Sequence, residues 1–216
     1  MYKIFDFEDE EAWKKGRFRG VGGSDAAALL GLNPYKSNLD LFEEKTGRKE
    51  PPDISEKDFV KYGHEAEPHI RALFALDYPE YKVEYHPFRI LQSIERPYML
   101  ASLDGELTDK EGRRGILEIK TTNILQSMQK EKWDDQIPQN YYCQLLWYFS
   151  VTGYDFAVLR AHLRSIWKNE TRTTCRHYFI EREEVKEDIA LLEEEAAKFW
   201  RYVEAGRKPA LILPEI

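Results

Sequence analysis

Tyr98-Met-Leu-Ala-Ser-Leu-Asp104-Gly-Glu-Leu107, the charged break Thr108-Asp-Lys-Glu-Gly-Arg-Arg114 and the run Gly115-Ile-Leu-Glu118-Ile-Lys120-Thr-Thr122 decide the fold. Two apolar runs flank a polar hinge, which is the pattern of a β-hairpin or meander. Strand side chains alternate between faces. Glu118 and Lys120 therefore share one face, and Leu117, Ile119 and Ile116 are expected on the other. Asp104 ends or interrupts the first strand, where Gly105 permits a bend. Two acids and a lysine are expected to converge at the edge of a small sheet.

The rest of the chain frames that stretch. With 216 residues, 42% hydrophobic and 13% aromatic, it can bury a substantial core. The layout reads as one domain over residues 1–216, with a helical part over about 1–80, a sheet core over about 81–182 and a closing helix over about 183–205. No apolar run is long enough for a membrane span. The first ten residues are too acidic and too briefly apolar for a signal peptide. Cys143 and Cys175 lack metal or CxxC spacing and are expected to be reduced, buried thiols of a cytoplasmic protein. The net charge of −7 argues against unspecific coating of nucleic acid but leaves room for a local basic channel.

Residues 7–18 predict a short helix, acidic at its start and basic at its end. Gly22-Gly23-Ser24-Asp25-Ala-Ala-Ala follows, with Ser24 expected as an N-cap and Gly31 past the helix end. A glycine-rich turn that opens a helix presents free N–H groups to an anion, and Arg17 is near enough to join it. An ordinary cap explains the same residues. Ser37 or Asn38 caps a helix over Leu39–Thr46. Ser55 opens a long helix to about Asp77, with a kink or restart expected at Gly63 and Pro68. Glu67 borders its apolar face, either engaging a cation there or reaching out to solvent.

Residues 81–92 read as one strand broken at Pro87, Asn123–Lys132 as a short helix, and 139–151 as a strong one. In that strong helix Gln144, Trp147, Tyr148 and Val151 form one stripe, so Gln144 and Tyr148 either wall a site or serve a hydrogen-bonded interface. Strands over Tyr154–Leu163 and Thr174–Ile180, joined by a polar loop with Lys168 and Arg172, precede the charged closing helix. The fold class is α/β, a central mixed sheet flanked by helices.

Asp104, Glu118 and Glu67 supply hard oxygen ligands that suit Mg²⁺ or Mn²⁺ rather than zinc. One or two such ions polarise a phosphodiester. Lys120 can orient water or offset transition-state charge, or it can simply pair with Glu118 or Asp104. These residues point to a metal-dependent nuclease.

The set resembles the PD-(D/E)XK nuclease superfamily and, within it, the lambda exonuclease and YqaJ-type viral recombinase family. The resemblance rests on Trp13-Lys-Lys-Gly-Arg17, Gly22-Gly23-Ser24-Asp25-Ala-Ala, Leu32-Asn-Pro-Tyr35, Gly63-His-Glu-Ala-Glu67, Ala101-Ser102-Leu-Asp104-Gly, Leu117-Glu118-Ile-Lys120 and Gln144-Leu-Leu-Trp-Tyr148, in family order over roughly 11–165. Leu103 stands where the superfamily often has proline, and the last 50 or so residues match no motif. The resemblance implies a restriction-endonuclease-like core. It implies two Mg²⁺ ions, replaceable by Mn²⁺, on Asp104, Glu118 and the Ile119 carbonyl, with Glu67 at the metal site, Lys120 as catalytic lysine and Gln144 in support. It places Arg17, Ser24 and Ser102 in a 5′-phosphate pocket, with Tyr148 on the DNA-binding wall. It further implies a homotrimeric ring that digests linear duplex DNA 5′→3′ in phage-type recombination, beside a single-strand annealing protein, in a bacterial host cell. Lys45, Arg48, Lys49, Arg113 and Arg114 are candidates for a basic channel. An endonuclease of the same fold and a catalytically silent DNA-binding adaptor are the competing readings.

Overall fold

The computed structural model describes residues 1–124, 127–167 and 170–213. Strand β1 (Tyr2–Asp6) precedes helix α1 (Glu10–Arg17), which Asp9 caps by accepting the Ala12 N–H. A 3-10 turn, Gly23–Asp25, leads into α2 (Ala26–Leu29). Then come α3 (Asn38–Lys45), α4 (Asp58–Asp77), β2 (Lys82–Glu84), β3 (Arg89–Ser93), β4 (Leu100–Ala101), β5 (Gly105–Thr108) and β6 (Arg114–Asn123). The chain continues through α5 (Ser127–Glu131), α6 (Gln139–Thr152), β7 (Phe156–Trp167), β8 (Glu170–Glu181) and α7 (Lys186–Glu204). Of the two residues assigned above to the loop before β8, Lys168 lies outside the described residues, and Arg172 lies within β8, opposite Ser165.

The expected hairpin is β5–β6, antiparallel, with Gly105 opposite Leu117 and Thr108 opposite Arg114. It lies inside a five-stranded sheet of order β2-β5-β6-β7-β8, in which only β6 and β7 run parallel among the described pairs. Parallel neighbours need a crossover, and α6 provides it. Leu117 and Ile119 belong to the core under α4, with Ile70, Phe74, Phe156 and Val158. Ile116 faces the opposite way and joins the larger core around α6. The expectation that Ile116 accompanies Leu117 and Ile119 is corrected by strand parity: residues 116, 118 and 120 share one face. Glu118 and Lys120 therefore point to the α6 side.

A second sheet, β1-β3-β4, was not legible as such. The strand expected over 81–92 divides at Pro87. Phe88 adopts φ 56°, a left-handed turn that sends β3 to the second sheet while β2 stays in the first. Three further expectations are revised. Ser24 is not an N-cap: Gly22 precedes the 3-10 turn without any side-chain cap, and the hydroxyl of Ser24 is engaged elsewhere. Pro68 neither stops nor restarts α4, which is continuous from Asp58 to Asp77 and packs on the sheet. Cys175 is exposed, whereas Cys143 is buried. Ser37 does cap α3, in a reciprocal box with Asp40.

Helix α6 is buried nearly all round rather than along one stripe, from Cys143 through Phe149. A helix of that kind belongs inside a core, between the sheet and α7. Among the described residues no helix is long and apolar enough to cross a membrane.

Candidate active site

Strand β5 starts at Gly105, and beyond it the ladder to β6 is continued by a side chain: Asp104 Oδ2 accepts the Ile119 N–H at 2.8 Å. The carboxylate thus occupies the position of a missing strand carbonyl. One step along β6, Glu118 is buried at 1% exposure. Its Oε1 accepts Gln144 Nε2 at 2.8 Å and pairs with Lys120, while its Oε2 is buried with no hydrogen-bond partner. Lys120 also lies over the Tyr141 ring, 5.2 Å from its centroid. Glu67 arrives from α4 and pairs with Arg71, one turn further along the helix.

These acids raise one another. Burial and the Asp104 carboxylate push Glu118 up to about 8, against the pull of Lys120. Burial, followed by Asp104, pushes Glu67 up to about 7. Burial also raises Asp104, although Lys120 and the Ile119 N–H favour its charge. Desolvation opposes the charge on Lys120, but Glu118 and Asp104 outweigh it and raise that group as well. The centre therefore holds more carboxylate than Lys120 and Arg71 neutralise, and one buried carboxylate oxygen lacks a donor. Both features suit a hard divalent cation. Among the described residues no three His, Cys, Asp or Glu side chains form a complete cage, so such an ion would rest on Asp104 and Glu118 together with main-chain oxygen.

A chain of polar contacts leads away from Glu118. Gln144 Nε2 also donates to Tyr148 Oη at 2.8 Å, and that hydroxyl donates to the Ser102 carbonyl at 2.9 Å. The Ser102 hydroxyl accepts Trp13 Nε1 at 3.2 Å and donates to the Arg89 carbonyl at 3.0 Å. The Trp13 ring lies 4.8 Å beneath the Arg17 guanidinium, whose Nη2 donates to Ser24 Oγ at 3.3 Å. Arg17, Ser24 and Ser102 are thus gathered around Trp13. The glycine turn is closed tightly over Tyr148: a Cβ on Gly23 would lie 2.4 Å from its ring. Asp25, next in the turn, is tied to Lys36 and Lys45 at 3.1 Å each.

The proposed metal-site and phosphate-pocket residues thus fall into two groups, Glu67, Asp104, Lys120, Gln144 and Tyr148 around Glu118, and Arg17, Ser24 and Ser102 around Trp13. Among the residues not singled out are Arg71, Tyr85 and Tyr141. Arg71 was visible only as the i+4 partner of Glu67, and Tyr85 carried no local signal. The five candidate channel cations all have partners within the chain. Lys45 pairs with Asp25 and Lys49 with Asp40, Arg48 donates to the Gly206 carbonyl, Arg113 pairs with Asp109 and Glu181, and Arg114 pairs with Glu106.

A mixed sheet with Asp104 at the start of β5, Glu118 near it on β6 and a crossover helix behind them defines the PD-(D/E)XK fold class. An alkaline exonuclease from Laribacter hongkongensis is similar at TM-score 0.67 and 19% identity, over 91% of this chain and 93% of that one. The same exonuclease in complex with dAMP is similar at 0.63 and 20% identity, over 91% and 93%. A phage related exonuclease from Haemophilus somnus 129PT is similar at 0.52 and 13% identity, over 87% and 96%. These likenesses show the fold. By sequence, the chain belongs to the YqaJ-like viral recombinase domain family, whose profile matches residues 12–155. It is 31% identical over 207 residues to the uncharacterized protein YqaJ of Bacillus subtilis (strain 168). The match covers 93% of this chain and 59% of that relative, so the chain spans about three-fifths of the relative's length.

Proposed function

We propose that the chain is a metal-dependent deoxyribonuclease that degrades one strand of linear duplex DNA 5′→3′ in phage-type recombination. The observation that carries this reading is the buried Glu118 beside Asp104 and Lys120, with one Glu118 oxygen unpartnered. Membership of a viral recombinase family supports it. So does a similar fold in an exonuclease crystallised in complex with dAMP.

Asp104, Glu118 and the Ile119 carbonyl would hold Mg²⁺ or Mn²⁺, with Glu67 adjoining; a second ion is what the family resemblance implies. When bound, the metal supplies Lewis-acid polarisation of the phosphodiester and a more acidic water. Lys120 remains protonated and stands where it can orient water or meet charge on the phosphorus oxygens. Gln144 fixes which Glu118 oxygen is free, and Tyr148 fixes Gln144. Arg17 and Ser24, braced by Trp13 and Ser102, form the 5′-phosphate pocket, which gives the enzyme its direction. A homotrimeric ring around DNA and a single-strand annealing partner complete the reading.

The test offers the full chain, with Mg²⁺, linear duplexes bearing 5′-phosphate or 5′-hydroxyl ends and closed circles. Degradation of 5′-phosphorylated duplex is expected, lost by at least about a thousandfold in Asp104→Ala and Lys120→Ala. Arg17→Ala is expected to lose the preference for 5′-phosphate. Equal activity in wild type and Asp104→Ala removes the nuclease, rapid cleavage of circles makes it an endonuclease, and equal digestion of 5′-hydroxyl ends removes the pocket.

A further inference from the structure

Arg71 bridges two elements of the centre. Its Nε donates to the Asp104 carbonyl at 2.6 Å, and its Nη2 pairs with the Glu67 carboxylate. The side chain is 12% exposed, and the Tyr85 ring covers the guanidinium at 3.6 Å from its centroid. Asp104 immediately precedes β5, so its side-chain direction follows the orientation of the Asp104–Gly105 peptide. That orientation is held from one side by the Ile119 N–H on the carboxylate and from the other by Arg71 on the carbonyl. A planar guanidinium makes both bonds from fixed positions; a lysine ammonium on a flexible stem offers no such fork.

We infer that Arg71 is a positioning residue: one guanidinium sets the spacing between the Glu67 carboxylate of α4 and the Asp104 peptide, holding both for a divalent cation. The inference rests on the metal-centre reading above. It differs from simple charge neutralisation in sign. If Arg71 only neutralised Glu67, its removal would free a carboxylate and strengthen cation binding. If it positions, its removal weakens binding although a positive charge has been lost. Outer partners of metal ligands typically contribute about ten- to a hundredfold in affinity.

The test is Mn²⁺ binding by calorimetry on the full chain without DNA, beside the melting temperature of the metal-free protein. Arg71→Ala is expected to bind Mn²⁺ at least about tenfold more weakly, with metal-free melting lowered but still cooperative. Arg71→Lys is expected to be weakened as well, since charge alone does not restore the fork. Unchanged or tighter binding in a folded Arg71→Ala overturns the inference. Should Arg71→Ala fail to fold, Arg71→Lys decides: wild-type affinity overturns the inference, and a tenfold loss upholds it. Absence of Mn²⁺ binding in wild type overturns the metal-centre reading, and this inference with it; binding in wild type with no change in either variant overturns this inference alone.

Discussion

Glu118 combines two opposing demands. It is buried enough that its charge is costly, yet Lys120 and Gln144 are arranged around its charged form. Its folded pKa of about 8, and that of Glu67 at about 7, lie above the ordinary 4.5. Groups raised in this way stabilise the fold fully below their unfolded value, and that stability is lost as pH rises through the folded value. His162 and His177 are lowered by burial and act in the opposite sense, but below about pH 7. Above that range the carboxylates decide the slope. We predict that in chelator the protein loses stability between pH 7 and 8.5, and that saturating Mg²⁺ removes the loss. Glu118→Gln should flatten the chelator profile. Denaturant midpoints across that range measure it, and a flat wild-type profile would falsify the raised carboxylate. At this scale Glu118 and Lys120 were legible, because alternation along one strand places them on one face, and Asp104 was legible from the strand end that Gly105 marks. The bond from the Ile119 N–H to Asp104 was not, since it depends on where β5 ends.

At the scale of elements, the glycine turn and α6 are locked together through the Tyr148 ring. Gly23→Ala puts a methyl where the ring already sits, with main chain on one side and a buried helix on the other. Overpacking of that kind costs about 1–3 kcal/mol. If the ring shifts, the hydroxyl also leaves the Ser102 carbonyl and Gln144. We expect Gly23→Ala to lower the urea midpoint and reduce discrimination between 5′-phosphate and 5′-hydroxyl ends, whereas Gly47→Ala, with nothing within 4 Å of its Cβ, leaves that discrimination intact. Loss of stability with full end discrimination would show that turn and pocket are independent. Periodicity made α4, α6 and α7 legible, the Ser37 cap made α3 legible, and alternation made β5–β6 legible. It could not assign strands to sheets. β4 has only two residues, β1 opens the chain in a charged run, and β2 and β3 part at a backbone turn whose signature is a single positive φ.

Over the whole molecule, the two polar groups unite distant parts of the chain: α1 and the glycine turn, α4, the β5–β6 hairpin and α6. The family profile spans this same region, residues 12–155, and ends where β7 is about to begin. The elements beyond it close the sheet edge and cover α6. That explains why residues after 166 carried no motif although they carry structure. Their contribution lies in burial, through Ile189, Leu192, Ala196 and Phe199, which any apolar residue of similar volume can provide.

The parallel pairing of β6 with β7 also governs timing. Gly105 meets Leu117 across a short hinge, but Leu117 meets Val158 only after α6 has crossed. Closing the longer loop costs more entropy and is slower. Asp104, Glu118 and Lys120 therefore come together early in refolding, while Gln144 and the buried environment of Glu118 arrive late. We predict that pulse-labelled amides of β5–β6 are protected before those of β6–β7, and that nuclease activity returns only with the second phase; activity appearing with the first would sink the idea. If the proposed nuclease reading holds, a nascent chain built in this order keeps its acids on an open, hydrated hairpin until the crossover closes, and so would be harmless to the DNA around it while it folds.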